Sequence, residues 1–346
     1  MNQTHKSTPF HKIKTENQKK TQNTLKNKEI HNSFISIVSV IQTAEEAAKL
    51  PQLLSGLYDI LPTHFSDYEI ILVNNLPGRT YDPEIAPLPD DLKHNIFLLN
   101  LSTATNRNHA IIAGLDRANG DYTVIFEFDF YQKPQYILDL FQKTREGIDI
   151  VYLQAQSRLT RGRFRLLYKL FYAILKNYST LKIDEMAHTT RIISRRALNS
   201  LLRLRENLRY MKAIYSIVGY QTAHIPVPEP LRDDPGISFS EKFRTSLVAI
   251  TSYTTFLRTL MLWIFVFSML FLLAVVTNAV KVKLTHVDLF GDYHESVPGW
   301  TFLVVVMSIF FAITCLNLYI MSIYLSNIYQ EMKHRPLYIL ESIKRF

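Results

Sequence analysis

The spacing of apolar and polar positions changes several times along the chain, and the changes predict alternating strands and helices. Short apolar runs rich in β-branched residues, which are typical of buried strands, occupy 34–41, 68–75, 95–101, 121–128 and 148–155. Helical spacing occupies 44–61, 105–118 and 134–146. This order predicts an α/β fold, with a doubly wound, mostly parallel sheet that carries helices on both faces.

Two later stretches are apolar over a much greater length. Residues 259–280 and 296–330 contain no charged side chain, and about 20 apolar residues are enough to cross a bilayer as a helix. We therefore expect a hairpin of two transmembrane helices. The connecting loop at 281–299 is mildly acidic and the flanking segments are basic, so the positive-inside rule places both termini in the cytoplasm.

The chain is predicted to have five parts. The segment 1–33, with seven lysines, two glutamates and no signal-peptide core, is expected to be a disordered basic tail. The remaining parts are a cytoplasmic α/β domain at 34–235, a juxtamembrane amphipathic helix at 236–258, two transmembrane helices within 259–328 and a cytoplasmic tail at 329–346.

Basic amphipathic stretches lie next to the predicted membrane anchor. The segment 161–178 sets apolar residues on one helical face and arginines and lysines elsewhere. Such a helix either lies in the membrane interface or packs on the domain. The N-terminal region contributes most of the net charge of +9, which places it on the cytoplasmic side of the inner (cytoplasmic) membrane. No nucleic-acid partner is expected. The single cysteine, Cys315, lies inside the second apolar stretch and excludes an intrachain disulfide.

Polar residues follow several of the predicted strands. In open α/β sheets ligands bind beyond the carboxyl ends of the strands. Gln42 follows the first strand, Asn74 and Asn75 end the second, and Glu127 and Asp129 lie at the end of the fourth. These side chains are expected to surround the ligand.

Several segments resemble one family of enzymes. They include "VPGWTFLVVV" at 297–306, "YLSNIYQEMKHRPLYIL" at 324–340 and "AGLDRANGDYTVIF" at 113–126. They resemble family 2 glycosyltransferases that load a sugar onto polyprenyl phosphate, of the bactoprenol glucosyltransferase and dolichol-phosphate mannose synthase-like type. The resemblance covers about 34–340. It implies a GT-A-like domain in which a lipid phosphate attacks the anomeric carbon of a nucleoside diphosphate sugar with inversion, while Mg²⁺ or Mn²⁺ on an Asp-x-Asp pair neutralises the diphosphate.

The sequence departs from the family where the chemistry is expected. Asn74 and Asn75 stand where the family has two aspartates, 188–191 reads "HTTR" in place of "GDFR", and "GISFS" at 236–240 lacks the lysine of the lipid site. The metal motif has two alignments. Either Phe128 and Phe130 occupy the aspartate positions, or Glu127 and Asp129 form an equivalent pair, which would face one side of an extended strand.

The resemblance assigns roles to matching or neighbouring positions. The implied catalytic residues are Asp129 and Arg191, and the implied metal ligands are Glu127 and Asp129. The implied nucleotide-sugar-binding residues are Gln42, Asn74, Asn75, Glu127, Arg107 and Gln132. The implied lipid-phosphate-binding residues are Arg158, Arg161, Arg232 and Ser238.

Two functions of different classes follow. The first is a membrane-anchored inverting glycosyltransferase that uses a nucleotide sugar and undecaprenyl phosphate in cell-surface glycan assembly. The second is a catalytically degenerate relative that acts as a binding or scaffold subunit and associates with a second copy or with a partner membrane protein. Fold alone does not decide between them, because function depends on the altered site.

Overall fold

The computed structural model describes most of the chain after residue 30. The described ranges are 31–159, 165–179, 183–204, 211–232, 253–287, 291–293, 299–332 and 336–346, with a few residues between 243 and 251. The predicted basic tail up to residue 30 lies outside the described residues, and so do 236–242 and four later positions of the juxtamembrane helix predicted at 236–258.

A mixed sheet of eight strands forms the centre of the domain. The strands described are β1 (His31–Ile41), β2 (Phe65–Asn74), β3 (Ile96–Leu101), β4 (Tyr122–Ile125), β5 (Ile150–Ala155), β6 (Arg158–Leu159), β7 (Ala187–Ser194), β8 (Thr222–Val227), β9 (Leu231–Arg232) and β10 (Leu340–Arg345). The sheet order is β10-β3-β2-β1-β4-β7-β5-β8, and β6 pairs separately with β9. Neighbours among β3, β2, β1 and β4 are parallel, whereas β7 is antiparallel to β4 and β5.

Helices cover both faces of this sheet, as the sequence predicts. The helices described in the chain are α1 (Ala44–His64), α2 (Asp82–Ile85), α3 (Asp90–Lys93), α4 (Arg107–Arg117), α5 (Tyr136–Thr144), α6 (Arg165–Tyr178), α7 (Arg195–Arg203), α8 (Met211–Ile217), α9 (Phe256–Thr285) and α10 (Gly299–Met332). Consecutive strand residues point to opposite faces, so Ile37 packs in the core under α1 and α5 while Val38 packs in the core under α4, α7 and α8.

Local sequence fixes how two helices meet the strands. Thr43 caps α1, and a reciprocal bond from its own backbone N–H to Glu46 completes a capping box. Gly114 lets α4 approach β1 closely, because a Cβ at this position would lie 2.3 Å from a methyl carbon of Val38. The first residue of α4, Arg107, donates to Glu46 in the first turn of α1, so α4 begins near the carboxyl end of β1.

The order of strands up to β5 is confirmed, and three features differ from the prediction. Strand β1 begins at His31, so the last three residues of the tail predicted at 1–33 belong to the sheet. Strand β4 ends at Ile125 instead of 128, because Phe128–Phe130 form a 3-10 turn. Strands β7, β8 and β10 were not predicted. The sheet is therefore mixed, with a parallel centre.

The C-terminal segment adds the strand β10 to the free edge of β3. Its pairing is antiparallel and runs from Leu340 opposite Leu101 to Arg345 opposite Phe97. The Lys344 ammonium group also lies 2.9 Å from a carboxylate oxygen of Asp82. The tail predicted at 329–346 thus returns to the sheet after α10.

Helices α9 and α10 are apolar along most of their length and project from the domain. Segments Phe256–Val275 and Ile309–Tyr329 are long and apolar enough to cross a membrane. Phe267 and Phe311 are each 72% exposed, so these side chains are not covered by the domain.

Helix α6 packs at the base of this pair. Ile174 forms a buried cluster with Ile250, with Leu257 at the start of α9 and with Ile320 of α10. Leu170, which the sequence places on the same apolar face, is 57% exposed. The helix therefore packs on the protein with part of its apolar face and leaves part of it uncovered.

Candidate functional site

The carboxyl ends of three parallel strands meet at one edge of the sheet. Ile41 of β1 is in register with Asn74 of β2, and Asn74 is in register with Asn100 of β3. Gln42 follows directly after β1, and its side-chain oxygen is buried without a hydrogen bond to any described residue. This oxygen is therefore a buried acceptor that the described residues leave unsatisfied.

The amides of Asn74 and Asn75 are engaged by the chain itself. The Asn74 amide nitrogen donates to Arg79 O and to Asn100 Oδ1, each at 2.9 Å. Asn75 donates to Thr105 O and accepts from Thr105 N. Both side chains are almost fully buried. They hold the turn after β2 and the loop before α4, and their predicted contact with a nucleotide stays a prediction.

The C-terminal segment reaches this same edge. Asn100 donates from its amide nitrogen to the Ser342 hydroxyl at 2.9 Å, which extends the polar row from Asn74 across β3 to β10. The backbone N–H of Ser102 donates to Ile339 O. A segment that follows the second apolar helix therefore supports the loops around the site.

A half-buried arginine joins two glutamates at the centre of the edge. Arg107, the first residue of α4, donates from Nε to Glu127 Oε1 at 3.0 Å and from NH1 to Glu46 Oε1 at 2.8 Å. The three side chains are only 15–21% exposed. Burial acts to lower the pKa of Arg107, but the charges of Glu127 and Glu46 outweigh it and raise that pKa above its ordinary value. The guanidinium is therefore a permanent cation.

The metal pair inferred from the sequence lacks the geometry on which it depended. Glu127 is still extended, but Phe128–Phe130 turn into a 3-10 helix, in which residues two apart do not share a face. Phe128 and Phe130 are buried, and Asp129 is exposed. Among the described residues no group of three acidic, histidine or cysteine side chains could hold a metal ion.

A cavity of about 300 Å³ opens beside this turn. Its lining includes Asp129 and Gln132, as predicted for the site, together with Lys49 of α1, His188 of β7 and Glu229 after β8. Lys133 forms an ion pair with Glu229. The cavity lies where α1, the turn and the ends of β7 and β8 meet, and its polar lining suits a polar ligand.

Arg191 lies in the interior and does not line this cavity. Its guanidinium donates to the carbonyls of His188 and Thr189 at 2.7 and 3.0 Å and stacks 3.7 Å from the Tyr215 ring centroid. Burial lowers the pKa of Arg191 from its ordinary value. These contacts favour a structural part for Arg191, and its predicted role in catalysis stays a prediction.

The structure brings together two segments predicted to bind the lipid phosphate. Arg158 and Leu159 pair with Leu231 and Arg232 in the short β6–β9 ladder. The Arg158 guanidinium stacks 3.9 Å from the Tyr168 ring centroid on α6. Arg161, Ser238 and the side chain of Arg232 lie outside the described part of the chain.

Sequence reasoning missed three residues of this region. Glu46 was visible as the last residue of a Thr-x-x-Glu capping box, and that signal places its carboxylate at the strand edge. Lys49 lies one helical turn after Glu45 and gives no separate signal. Glu229 depends on the path of β8, which was not predicted.

Comparisons with known proteins show which family the chain belongs to. The family model Glycosyl transferase family 2 matches residues 39–202. The chain is 30% identical over 319 residues to the bactoprenol glucosyl transferase of Shigella phage SfV, covering 90% of this chain and 99% of that one. It is 28% identical to an uncharacterized glycosyltransferase of Synechocystis, covering 89% and 96%.

A solved structure, glucosyl-3-phosphoglycerate synthase from Mycobacterium tuberculosis, overlaps 63% of this chain and 78% of its own with a TM-score of 0.40 and 18% identity. The relatives by sequence match this chain almost from end to end, including the region of the apolar helices. The chain belongs to glycosyl transferase family 2.

Proposed function

We propose that this chain is a membrane-anchored glycosyltransferase that moves a sugar, with inversion, from a nucleoside diphosphate sugar to undecaprenyl phosphate or a similar polyprenyl phosphate. The observation that carries the proposal is the match to the phage bactoprenol glucosyl transferase over 90% of this chain and 99% of that protein. The product would be a lipid-linked sugar for cell-surface glycan assembly.

The donor is proposed to bind at the carboxyl edge of the sheet. The unsatisfied acceptor of Gln42 would suit an N–H group of the base once its side chain turns toward the ligand, and the turns held by Asn74 and Asn75 form the adjoining wall. Arg107 and Glu127 lie next to the diphosphate, and Gln132 and Asp129 line the cavity for the sugar. Asp129 is exposed there and is proposed to contact the reacting sugar.

The acceptor is proposed to enter from the side of the apolar helices. Arg158 lies against α6, which packs on the base of α9 and α10. Together with Arg161, Arg232 and Ser238 it would bind the lipid phosphate. A phosphate monoester has a second pKa near 6 and is largely ionised near pH 7, so it can attack without a general base.

The membrane topology is proposed to be a hairpin with both termini in the cytoplasm. Strand β10 follows α10 and pairs with β3 of the same sheet that precedes α9. The two ends of the apolar pair therefore belong to one domain and lie on one side, which requires an even number of crossings. The basic flanks of the pair support the cytoplasmic side.

The scaffold function remains the second candidate. One observation favours it: the side-chain amides of Asn74 and Asn75 form hydrogen bonds to other groups of the same chain. A scaffold would need a second copy or a partner membrane protein, and it would bind no nucleotide sugar.

A transfer assay separates the two functions. The full chain, purified in detergent, is incubated with undecaprenyl phosphate and a panel of nucleoside diphosphate sugars that covers the common bases and sugars. Formation of a glycosylated lipid with one donor is the expected result, and inversion is read from the anomeric configuration of the product. Absence of product and of nucleotide binding with every donor would favour the scaffold.

A further inference from the structure

The diphosphate of the donor needs a positive partner, because its negative charge grows as the sugar leaves. In metal-dependent enzymes a bound cation supplies this charge. Here the residues expected to hold it do not fit. The Glu127 carboxylate is paired with Arg107, and Asp129 follows in a 3-10 turn with its side chain exposed.

Arg107 pairs directly with Glu127, one of the two residues expected to bind the metal, and it is rigidly held. Glu46, which binds its NH1, is itself fixed by the backbone N–H groups of Gln42 and Thr43. The guanidinium uses Nε and NH1 for the two glutamates, and no described residue accepts a hydrogen bond from NH2. Arginine offers five N–H donors in a planar fork, so donors remain for an anion.

We propose that Arg107 takes the place of the divalent cation, so that this chain binds its nucleoside diphosphate without a metal. The inference rests on the proposed function, since it concerns the same donor site. The remaining N–H groups of Arg107 would form charge-assisted hydrogen bonds to the diphosphate oxygens.

The charges around Arg107 make the proposal testable, because it predicts the direction in which nucleotide affinity changes when Glu127 is neutralised. The negative charge of Glu46 is stabilised by hydrogen bonds from two backbone N–H groups at the start of α1. Glu127 has Arg107 as its cationic partner and would compete with the diphosphate for it. Removing the charge of Glu127 should therefore tighten nucleotide binding, whereas removing a metal ligand would weaken it.

The test uses the purified full chain and measures by calorimetry the affinity for nucleoside diphosphates with each common base and for inorganic pyrophosphate. Each titration is run in EDTA and again in Mn²⁺. The wild-type affinity is expected to change less than 2-fold with the metal. Glu127→Gln should tighten binding about 2- to 5-fold, and Arg107→Gln should weaken it about 10-fold or more.

Two further variants keep the result interpretable. Arg117→Gln removes an arginine of the same helix that stacks over Phe97, away from the site, and should leave the affinity unchanged. The double variant Arg107→Gln/Glu127→Gln avoids an unpaired Glu127 and should still bind weakly while its melting temperature stays close to that of the wild type.

The outcomes separate this inference from the proposed function. Wild-type binding that requires Mn²⁺, or a loss of affinity in Glu127→Gln, would overturn the metal-free site and leave the glycosyltransferase proposal standing. No binding of any nucleoside diphosphate in either condition would overturn both.

Discussion

Replacing Arg191 by methionine should destabilise the domain without removing the donor site. Arg191 is 3% exposed, and its guanidinium donates hydrogen bonds to the carbonyls of His188 and Thr189. A buried carbonyl left without a donor costs about 1–3 kcal/mol. Methionine fills most of the volume, and removing a desolvated charge offsets part of the loss. We therefore expect a net destabilisation of about 2–4 kcal/mol.

This loss should be visible as a lower melting temperature. For a domain of this size about 1 kcal/mol corresponds to 2–4 °C, so Arg191→Met should melt roughly 5–15 °C below the wild type. Arg145→Met is the matched control, since Arg145 is exposed, and it should melt like the wild type.

Nucleotide binding and sugar transfer, both measured at low temperature, then distinguish a structural from a catalytic Arg191. The variant should bind nucleoside diphosphate within about 3-fold of the wild type below its melting transition, because Arg191 does not line the cavity. An unchanged melting temperature together with lost sugar transfer would refute the structural interpretation and establish the catalytic one.

Three other changes have defined outcomes. In a chain whose native cysteine is replaced by alanine, cysteine at Ser296 should react with an impermeant thiol reagent in intact cells and cysteine at Thr24 should not; the reverse would contradict the topology. Ser342→Ala should weaken nucleotide binding about 2- to 10-fold by calorimetry, because it removes the hydrogen bond from Asn100 that links β3 to β10. Glu341→Ala should leave the affinity unchanged. Gly120→Ala should lower the melting temperature, since its Cβ would lie 2.7 Å from a backbone nitrogen of β1; normal melting would contradict the packing.

The sequence was sufficient for the parallel centre of the fold. Long β-branched runs such as 34–41 must be buried on both faces, and a capping signal such as Thr43 to Glu46 marks where a helix begins. Such signals predict an element from neighbouring residues alone. They placed Gln42, Asn74 and Glu127 at one edge because parallel strands end together.

Contacts between segments far apart in the chain could not be predicted from the sequence. Nothing near Ser342 indicates that it joins β3, since the pairing depends on where α10 ends. The same holds for Arg107, whose pairing with Glu127 depends on the close approach of α4 to β1. The prediction for Glu127 and Asp129 assumed that the strand continued, and the buried rings of Phe128 and Phe130 turn the chain instead.

The central claim, that a nucleoside diphosphate binds beside Arg107 at the carboxyl edge of the sheet, is tested most directly by an experimental structure of the full chain with its preferred nucleoside diphosphate and Mn²⁺ present. The account predicts diphosphate oxygens within hydrogen-bonding distance of the Arg107 guanidinium, the base near Gln42, and no metal between Glu127 and Asp129. A nucleotide bound elsewhere, or an ion coordinated by those two carboxylates, would contradict it.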